Sequence, residues 1–256
     1  MIQLKDQMGS LLNFKQAPLC IVSLVPSISE LIWDLGLHDE LVGVTKFCIH
    51  PENLRKDKAI VGGTKNVKIE RLLALNPDFV IANLEENTKE EIEIISKLIP
   101  TYISDINTVE QMLLFINDIG LICNREKEAE EIAKKISETM AAIPSKPKNK
   151  KAIYLIWNEP FMSIGGDTFI SHIMQQVGFE NCLKEMDRYP TLTFEDIQQI
   201  SPDEIWLSSE PFPFKEAHQK ELQNIFPYVT VRLVDGEAFS WYGSRIFKLK
   251  DYLSSF

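Results

Sequence analysis

Cys48 and His50 stand two residues apart in the segment Lys46-Phe47-Cys48-Ile49-His50-Pro51, where a thiolate and an imidazole could together hold a transition metal. Two ligands do not close a site, so a third would have to come from Glu85, Glu210 or His172. The competing reading is a buried thiol beside a loop-capping histidine. A Cys–His nucleophile is disfavoured, because it needs an orienting acid and an oxyanion hole and no signature of either surrounds Cys48. A second set of candidates is aromatic. Trp157, Phe161, Phe212, Phe239, Trp241 and Tyr242 fall in short segments that follow apolar runs, where they could stack on a flat macrocycle or an aromatic chelator, or else plug the ends of a core. Trp33 and Trp206, inside a helix and a strand, read as core. The same segments carry Asn83, Glu85, Glu86, Glu159, Ser209, Glu210, Asp235 and Glu237. Arg245, after Gly243-Ser244, could clamp a carboxylate or phosphate, or pair with Asp235 or Glu237.

These residues are positioned by alternating strands and helices. Cys20 to Val25 reads as a strand, and Ser27 with Glu30 as a capping box for a helix closed by Gly36. Leu41 to Thr45 is a strand. Asn66 is expected to cap a helix from Val67 to Leu75, after which Asn76-Pro77-Asp78 turns into the strand Phe79 to Ala82. Thr88 opens a helix to Leu98, and Thr101 to Ser104 is a strand. A second series follows: the strand Ala152 to Ile156, a helix over Thr168 to Val177, a helix Phe194 to Ile200 capped by Thr193 with Asp196, and the strand Glu204 to Leu207. A helix Lys215 to Phe226, a strand Val229 to Val234 and one closing helix Ser244 to Leu253 complete it. The series share an echo, Leu75-Asn76-Pro77-Asp78-Phe79 against Ile200-Ser201-Pro202-Asp203-Glu204.

Between the series, Asn124 to Ile143 reads as one helix, with Asn124 as N-cap and Ala129, Ile132, Ala133, Ile136, Met140 and Ile143 at helical spacing. Its 20 residues would span about 30 Å. Pro144, Pro147 and the lysines from Lys146 to Lys151 are expected to end it. The expected class is α/β, with two Rossmann-like lobes, each a parallel helix-flanked sheet, joined by one long backbone helix. The expected boundaries are an N-terminal extension 1–19, a lobe 20–123, the connecting helix 124–143 and a lobe 144–256. The alternative is a surface helix on one α/β domain.

The 27 Lys+Arg against 37 Asp+Glu give a formal charge of −10, which argues against nucleic acid or an anionic membrane as main partner. The four cysteines form no CxxC pair, and no apolar run is long enough to span a bilayer. Met1 to Gln16 has no apolar leader region, so a chain starting natively at Met1 is expected in the cytoplasm.

The residues Val22-Ser23-Leu24-Val25-Pro26-Ser27, Val42-Gly43-Val44-Thr45, Val61-Gly62-Gly63 and Ile69-Glu70-Arg71-Leu72-Leu73-Ala74-Leu75-Asn76-Pro77-Asp78 resemble class III, helical-backbone periplasmic substrate-binding proteins of ABC transporters. That family includes vitamin B12, ferric-siderophore and haem receptors. The resemblance implies a non-enzymatic, monomeric protein of the periplasm or cell surface, without a covalent cofactor. It would capture a metal chelate such as cobalamin, a ferric siderophore or haem in an inter-lobe cleft and deliver it to an ABC-type permease dimer. Since ligands of open α/β sheets bind outside the carboxyl ends of the strands, the expected contacts are Phe47, Cys48, His50, Asn83, Glu85, Trp157, Phe161, Glu210, Phe212, Trp241, Tyr242 and Arg245. In that family a glutamate in the first turn of one helix of each lobe engages permease arginines, and Glu70 and Glu195 stand at those positions. The rival functional reading is a cytoplasmic metal-binding protein or metalloenzyme on the same scaffold, using Cys48 and His50.

Overall fold

Apolar segments too short for helices form the two sheets, and their burial on both faces explains why they read as continuous runs rather than alternating ones. The computed structural model describes residues 2–143 and 150–256. Its contacts group into two units: Met1–Ile106, Glu110–Ser137 and Tyr242–Arg245 form the first, and Asn107–Val109, Glu138–Trp241 and Ile246–Phe256 the second.

In the main sheet of unit one the strands are Ile21–Ser23, Leu41–Val44, Ala59–Ile60, Phe79–Asn83 and Thr101–Ser104, all paired in parallel. Their spatial order is Ala59–Ile60, Leu41–Val44, Ile21–Ser23, Phe79–Asn83, Thr101–Ser104, so the order reverses between Ile21–Ser23 and Phe79–Asn83. Such a reversal is where doubly wound sheets open a crevice for ligands. In unit two, Lys150–Trp157, Glu204–Ser208 and Thr230–Val234 run in parallel, and Phe161–Ser163 and Thr191–Leu192 extend the sheet antiparallel. This sheet is therefore mixed, not purely parallel as expected.

The repeated turn follows one plan in both units. Asn76 and Ser201 hold left-handed φ of 48° and 52°, Ser201 directly capping its helix and Asn76 two residues beyond the Ala74 cap, and the following prolines cannot continue a helix. The next N–H donates to the neighbouring strand: Asp78 N to Cys20 O (3.0 Å) and Asp203 N to Lys151 O (2.9 Å). The aspartate side chains complete the exchange. Asp78 accepts from the N–H groups of Leu19 and Cys20 (both 2.9 Å), and Asp203 from that of Lys151 (2.7 Å).

Several expected boundaries are corrected. Ser27 makes no capping bond; the first helix is Pro26–Asp34 behind Val25. Asn66–Val67 pairs as a strand with Gly62–Gly63, and the helix behind it is Ile69–Leu73. Asn124 is not an N-cap but a left-handed residue (φ 55°) ending the helix Val109–Cys123, which has no counterpart in the sequence reading. The next helix is Glu126–Ala142. The two lie so close that a Cβ on Gly120 would stand 2.5 Å from Ala129 Cβ. The expected stop at Pro144, Lys146 and Pro147 lies outside the described residues. The single closing helix expected over Ser244 to Leu253 is instead two short ones, Arg245–Lys248 and Lys250–Ser254, preceded by a short helix Gly236–Ser240 that was not expected. Trp206 is fully buried against Tyr154, Phe179 and Phe239 as expected, whereas Trp33 is only half-buried, stacked on His38 at 4.1 Å.

The residues expected to be an extension form the hairpin Ile2–Lys5 with Leu11–Phe14. Asp6 accepts from Ile103 N (3.2 Å) and Gln7 from Asp105 N (2.9 Å), so two side chains cover outward N–H groups at the open edge beside Thr101–Ser104.

Candidate functional site

The carboxyl-end loops of unit one are closed by their own side chains. Asn83 is buried; its amide nitrogen donates to Ser104 O (3.0 Å) and Oγ (3.1 Å), and its carbonyl accepts from Glu85 N (2.9 Å) and Glu86 N (3.1 Å). Every hydrogen-bonding position of that carboxamide is occupied, so Asn83 is a loop-shaping residue and its expected ligand role is corrected. Asn87 donates to Leu24 O (3.1 Å) and Thr64 O (2.9 Å), bridging the reversal point of the sheet.

Cys48 is corrected as well. It is fully buried, its thiol donates to Ser29 Oγ (3.2 Å) and lies 3.4 Å from Thr45 Oγ1, and burial raises its pKa, the opposite of what a metal-binding or nucleophilic thiolate requires. His50 is half-buried in the loop beyond it, and His172 lies in the helix Phe169–Gln176 of unit two beside Gln176. Among the described residues no group of three or more His, Cys, Asp or Glu is placed to hold a metal ion. Phe47 is 49% exposed with Lys46 over its ring at 4.9 Å, and the half-buried Glu85 follows Asn83.

Tyr242 and Arg245 belong to unit one. Tyr242 is buried; burial, then the charges of Glu86 and Glu85, push its pKa far up. Arg245 is bidentate to Glu30, Nε to Oε2 at 2.9 Å and a terminal nitrogen to Oε1 at 2.7 Å, with both side chains nearly buried (11% and 4% exposed). Beside it the Ser244 hydroxyl bonds Asp34, and Gly243 N donates to Met112 Sδ at 2.9 Å. The segment Tyr242–Arg245 thus anchors within unit one, and Arg245 is corrected from ligand clamp to structural ion pair.

The carboxyl end of unit two's sheet is built differently. Trp157 is 41% exposed and meets Phe212 edge to face at 5.7 Å. Glu210 is part-buried, and its Oε1 accepts both the Ser240 hydroxyl (2.7 Å) and the Trp241 indole N–H (2.9 Å). Trp241 is itself buried, so it orients the carboxylate more than it offers a face. Ser208 fixes the turn by donating to Glu210 O (2.6 Å) while accepting from Tyr154 (3.1 Å). A Cβ on Gly236 would lie 2.5 Å from Glu210 Cγ, so only glycine permits this approach. Burial raises the Glu210 pKa, bonds from Ser240 and Trp241 oppose the rise, and the charges of Glu237 and Asp235 add to it.

Phe161 lies elsewhere in unit two, edge to face with Phe194 at 5.1 Å. Both line a groove of about 380 Å³ floored by Leu192 and Leu222 and rimmed by Glu159, Glu195 and Glu221. Glu195 is exposed in the first turn of Phe194–Ile200, a helix carrying the expected capping box: Thr193 Oγ1 accepts from Asp196 N (3.1 Å) and Asp196 from Thr193 N (2.8 Å). Glu70 is exposed in the first turn of Ile69–Leu73.

A sequence profile described as periplasmic binding protein matches residues 21–225. The chain belongs to that family. Among its relatives, an uncharacterized ABC transporter substrate-binding lipoprotein, YvrC, of Bacillus subtilis (strain 168) is 26% identical over 216 residues, covering 80% of this chain and 68% of that protein. The vitamin B12-binding protein of Vibrio campbellii (strain ATCC BAA-1116) is 26% identical over 193 residues, covering 73% of this chain and 70% of that protein. Among solved structures, the periplasmic vitamin B12 binding protein BtuF of Vibrio cholerae superposes with a TM-score of 0.76 over 93% of this chain and 96% of that one at 19% identity, a likeness of fold. The resemblance seen in the Val22–Ser27 and Ile69–Asp78 segments is thereby borne out.

Sequence reasoning missed Ser240, Ser208 and Gly236, which hold Glu210. The crowding of small residues around Phe239 and Trp241 was the available signal, legible only once the 208–210 and 235–241 turns are known to meet.

Proposed function

We propose that the chain is the substrate-binding component of an ABC-type uptake system and captures a metal chelate such as a corrinoid, a ferric siderophore or haem. The observation that carries this reading is the carboxyl end of the unit-two sheet, whose loops hold the exposed Trp157 packed on the half-buried Phe212 and a carboxylate, Glu210, fixed by Ser240 and Trp241. Aromatic faces supply apolar contact to a flat or aromatic chelate, and a preoriented carboxylate supplies direction. Phe47, His50 and Glu85 are the proposed contacts of unit one, Trp157, Phe212 and Glu210 those of unit two. The ligand enters and leaves intact, so no catalytic residue is assigned, and the chain works as a monomer outside the cytoplasmic membrane. Delivery runs through Glu70 and Glu195, exposed first-turn carboxylates suited to basic groups of a permease dimer, with the groove beside Glu195 as the seat for one of them.

The test is thermal unfolding of the purified chain with cobalamin, haemin and ferric catecholate and hydroxamate chelates. At a ligand concentration about a hundredfold above Kd, binding adds roughly 2.7 kcal/mol to stability, a shift of several degrees. One class giving that shift supports the reading; none doing so overturns it.

A further inference from the structure

An exposed carboxylate does little on its own. An ion pair at the surface strengthens an association by about fivefold at most, so Glu195 meeting a basic group leaves most of a docking affinity to be supplied elsewhere. Tight contacts centre instead on a large side chain seated in an apolar recess from which water is excluded. Unit two has such a recess beside Glu195, the groove of about 380 Å³. Its floor is apolar: Leu192 and Leu222 are 6% and 3% exposed. Its wall is aromatic. Phe194 is 42% exposed, yet its ring is held by Phe161 at 5.1 Å and by the buried Phe226 at 6.3 Å.

Local structure fixes these parts before any partner arrives. Phe161 and Leu192 are directly paired across the antiparallel strands Phe161–Ser163 and Thr191–Leu192. The capping box of Thr193 and Asp196 sets the first turn of Phe194–Ile200, and with it the positions of Phe194 and Glu195. Glu221 comes from the helix Glu216–Ile225, and Glu159 from the turn after Trp157, in left-handed backbone (φ 57°). No Lys or Arg lines the groove, and the carboxylates of Glu159, Glu195 and Glu221 make no ion pair or hydrogen bond among the described residues. The groove therefore joins an apolar seat to a negative rim.

We propose that this groove is the docking seat for a permease segment in which an arginine stands next to a large apolar side chain. The apolar group sits on Leu192, Leu222 and the Phe194 ring, and the guanidinium lies among Glu159, Glu195 and Glu221. Arginine suits the place better than lysine, because a planar guanidinium lies on an aromatic face while bonding carboxylates at its edge. Phe161, expected from the sequence as a chelate contact, becomes a docking residue. The proposal rests on the uptake reading above and specifies the partner chemistry on unit two.

The experiment uses the full chain, isotopically labelled, and capped dipeptides as probes: Arg-Phe and Phe-Arg, each with a citrulline-for-arginine and a glycine-for-phenylalanine counterpart. On titration, amide shifts are expected at residues 158–161, 192–195 and 218–222, with one of the two orders binding at least about fivefold tighter than either of its counterparts. The citrulline difference narrows as salt rises and the glycine difference does not. Glu221→Gln, at an exposed helix position, is expected to weaken that dipeptide about twofold, and Phe194→Ala, in a chain whose remaining spectrum is unchanged, about fivefold. Phe161→Ala is expected to weaken the dipeptide while leaving the Kd of a bound chelate unchanged. Shifts elsewhere, no shifts, or equal binding of the glycine counterparts overturn the groove assignment and leave the uptake reading standing. Self-association of the chain that Phe194→Ala abolishes assigns the groove to a second copy and overturns the permease segment. Dipeptide binding by a chain that no chelate stabilises removes the uptake reading, and the permease as partner with it.

Discussion

The amino ends of the two sheets are built alike and their carboxyl ends are not. At the amino ends, Asn76-Pro77-Asp78 and Ser201-Pro202-Asp203 share the left-handed helix stop, the proline and the aspartate that returns to the neighbouring strand. At the carboxyl ends, unit one uses amides, Asn83 and Asn87, whose hydrogen bonds run to its own loops and strands, whereas unit two uses an acid, Glu210, held by one hydroxyl and one indole, and carries the exposed Trp157 in a loop of the same sheet end. Turns that only shape the chain can be repeated. Loops that must meet a ligand carry groups that local folding does not consume.

The largest expected effect is at the ion pair that anchors Tyr242–Arg245. Glu30→Ala removes the bidentate carboxylate from the nearly buried Arg245 and is expected to cost about 3 kcal/mol in urea unfolding, while replacing both residues by methionine recovers most of it. Next comes Gly236→Ala. Its Cβ would meet Glu210 Cγ at 2.5 Å, so a cost of about 1–3 kcal/mol and a weaker chelate affinity are expected, an effect that loop-internal Asn83 gives no counterpart for in unit one.

Legibility followed the same division. The Thr193–Asp196 capping box and the paired Pro-Asp turns were readable because their bonds run between residues a few positions apart or between a turn and the adjoining strand. Glu30 was read as a capping partner of Ser27 although its partner, Arg245, lies 215 positions away, a distance no local pattern reports. Asn83 ends one buried strand and Glu210 follows another, and as sequence they are alike; only the direction of their hydrogen bonds separates a loop former from a proposed site residue. The helix Val109–Cys123 went unread although Met112, Phe115, Ile116, Ile119 and Ile122 stand at helical spacing, and Asn124 was assigned to the wrong helix because Asn suits both a left-handed stop and an N-cap.

The shared turn gives a smaller prediction. Asp78→Ala removes two exposed backbone-to-carboxylate bonds and Asp203→Ala one, so the first is expected to cost about 1–2 kcal/mol and the second about 1 kcal/mol in urea unfolding; a larger cost at Asp203 than at Asp78 would break the likeness. Smallest is the pH effect of Glu210. Its pKa is raised in the folded chain, so its contribution favours the native state below the ordinary glutamate range and is lost as pH rises through the raised value. Glu210→Gln is therefore expected to match or exceed wild-type stability at neutral pH, by no more than about 1 kcal/mol, with that relative gain fading as the medium is acidified, measured by thermal unfolding across pH.

Hydrogen exchange of the full chain, with and without whichever chelate stabilises it, tests the account most directly. Slowed exchange is predicted at the carboxyl-end loops, residues 46–50, 84–88, 158–161, 209–214 and 235–242, with residues 76–78 and 201–203 unchanged. Protection concentrated at those amino-end turns, or none in the 209–214 loop, would contradict it.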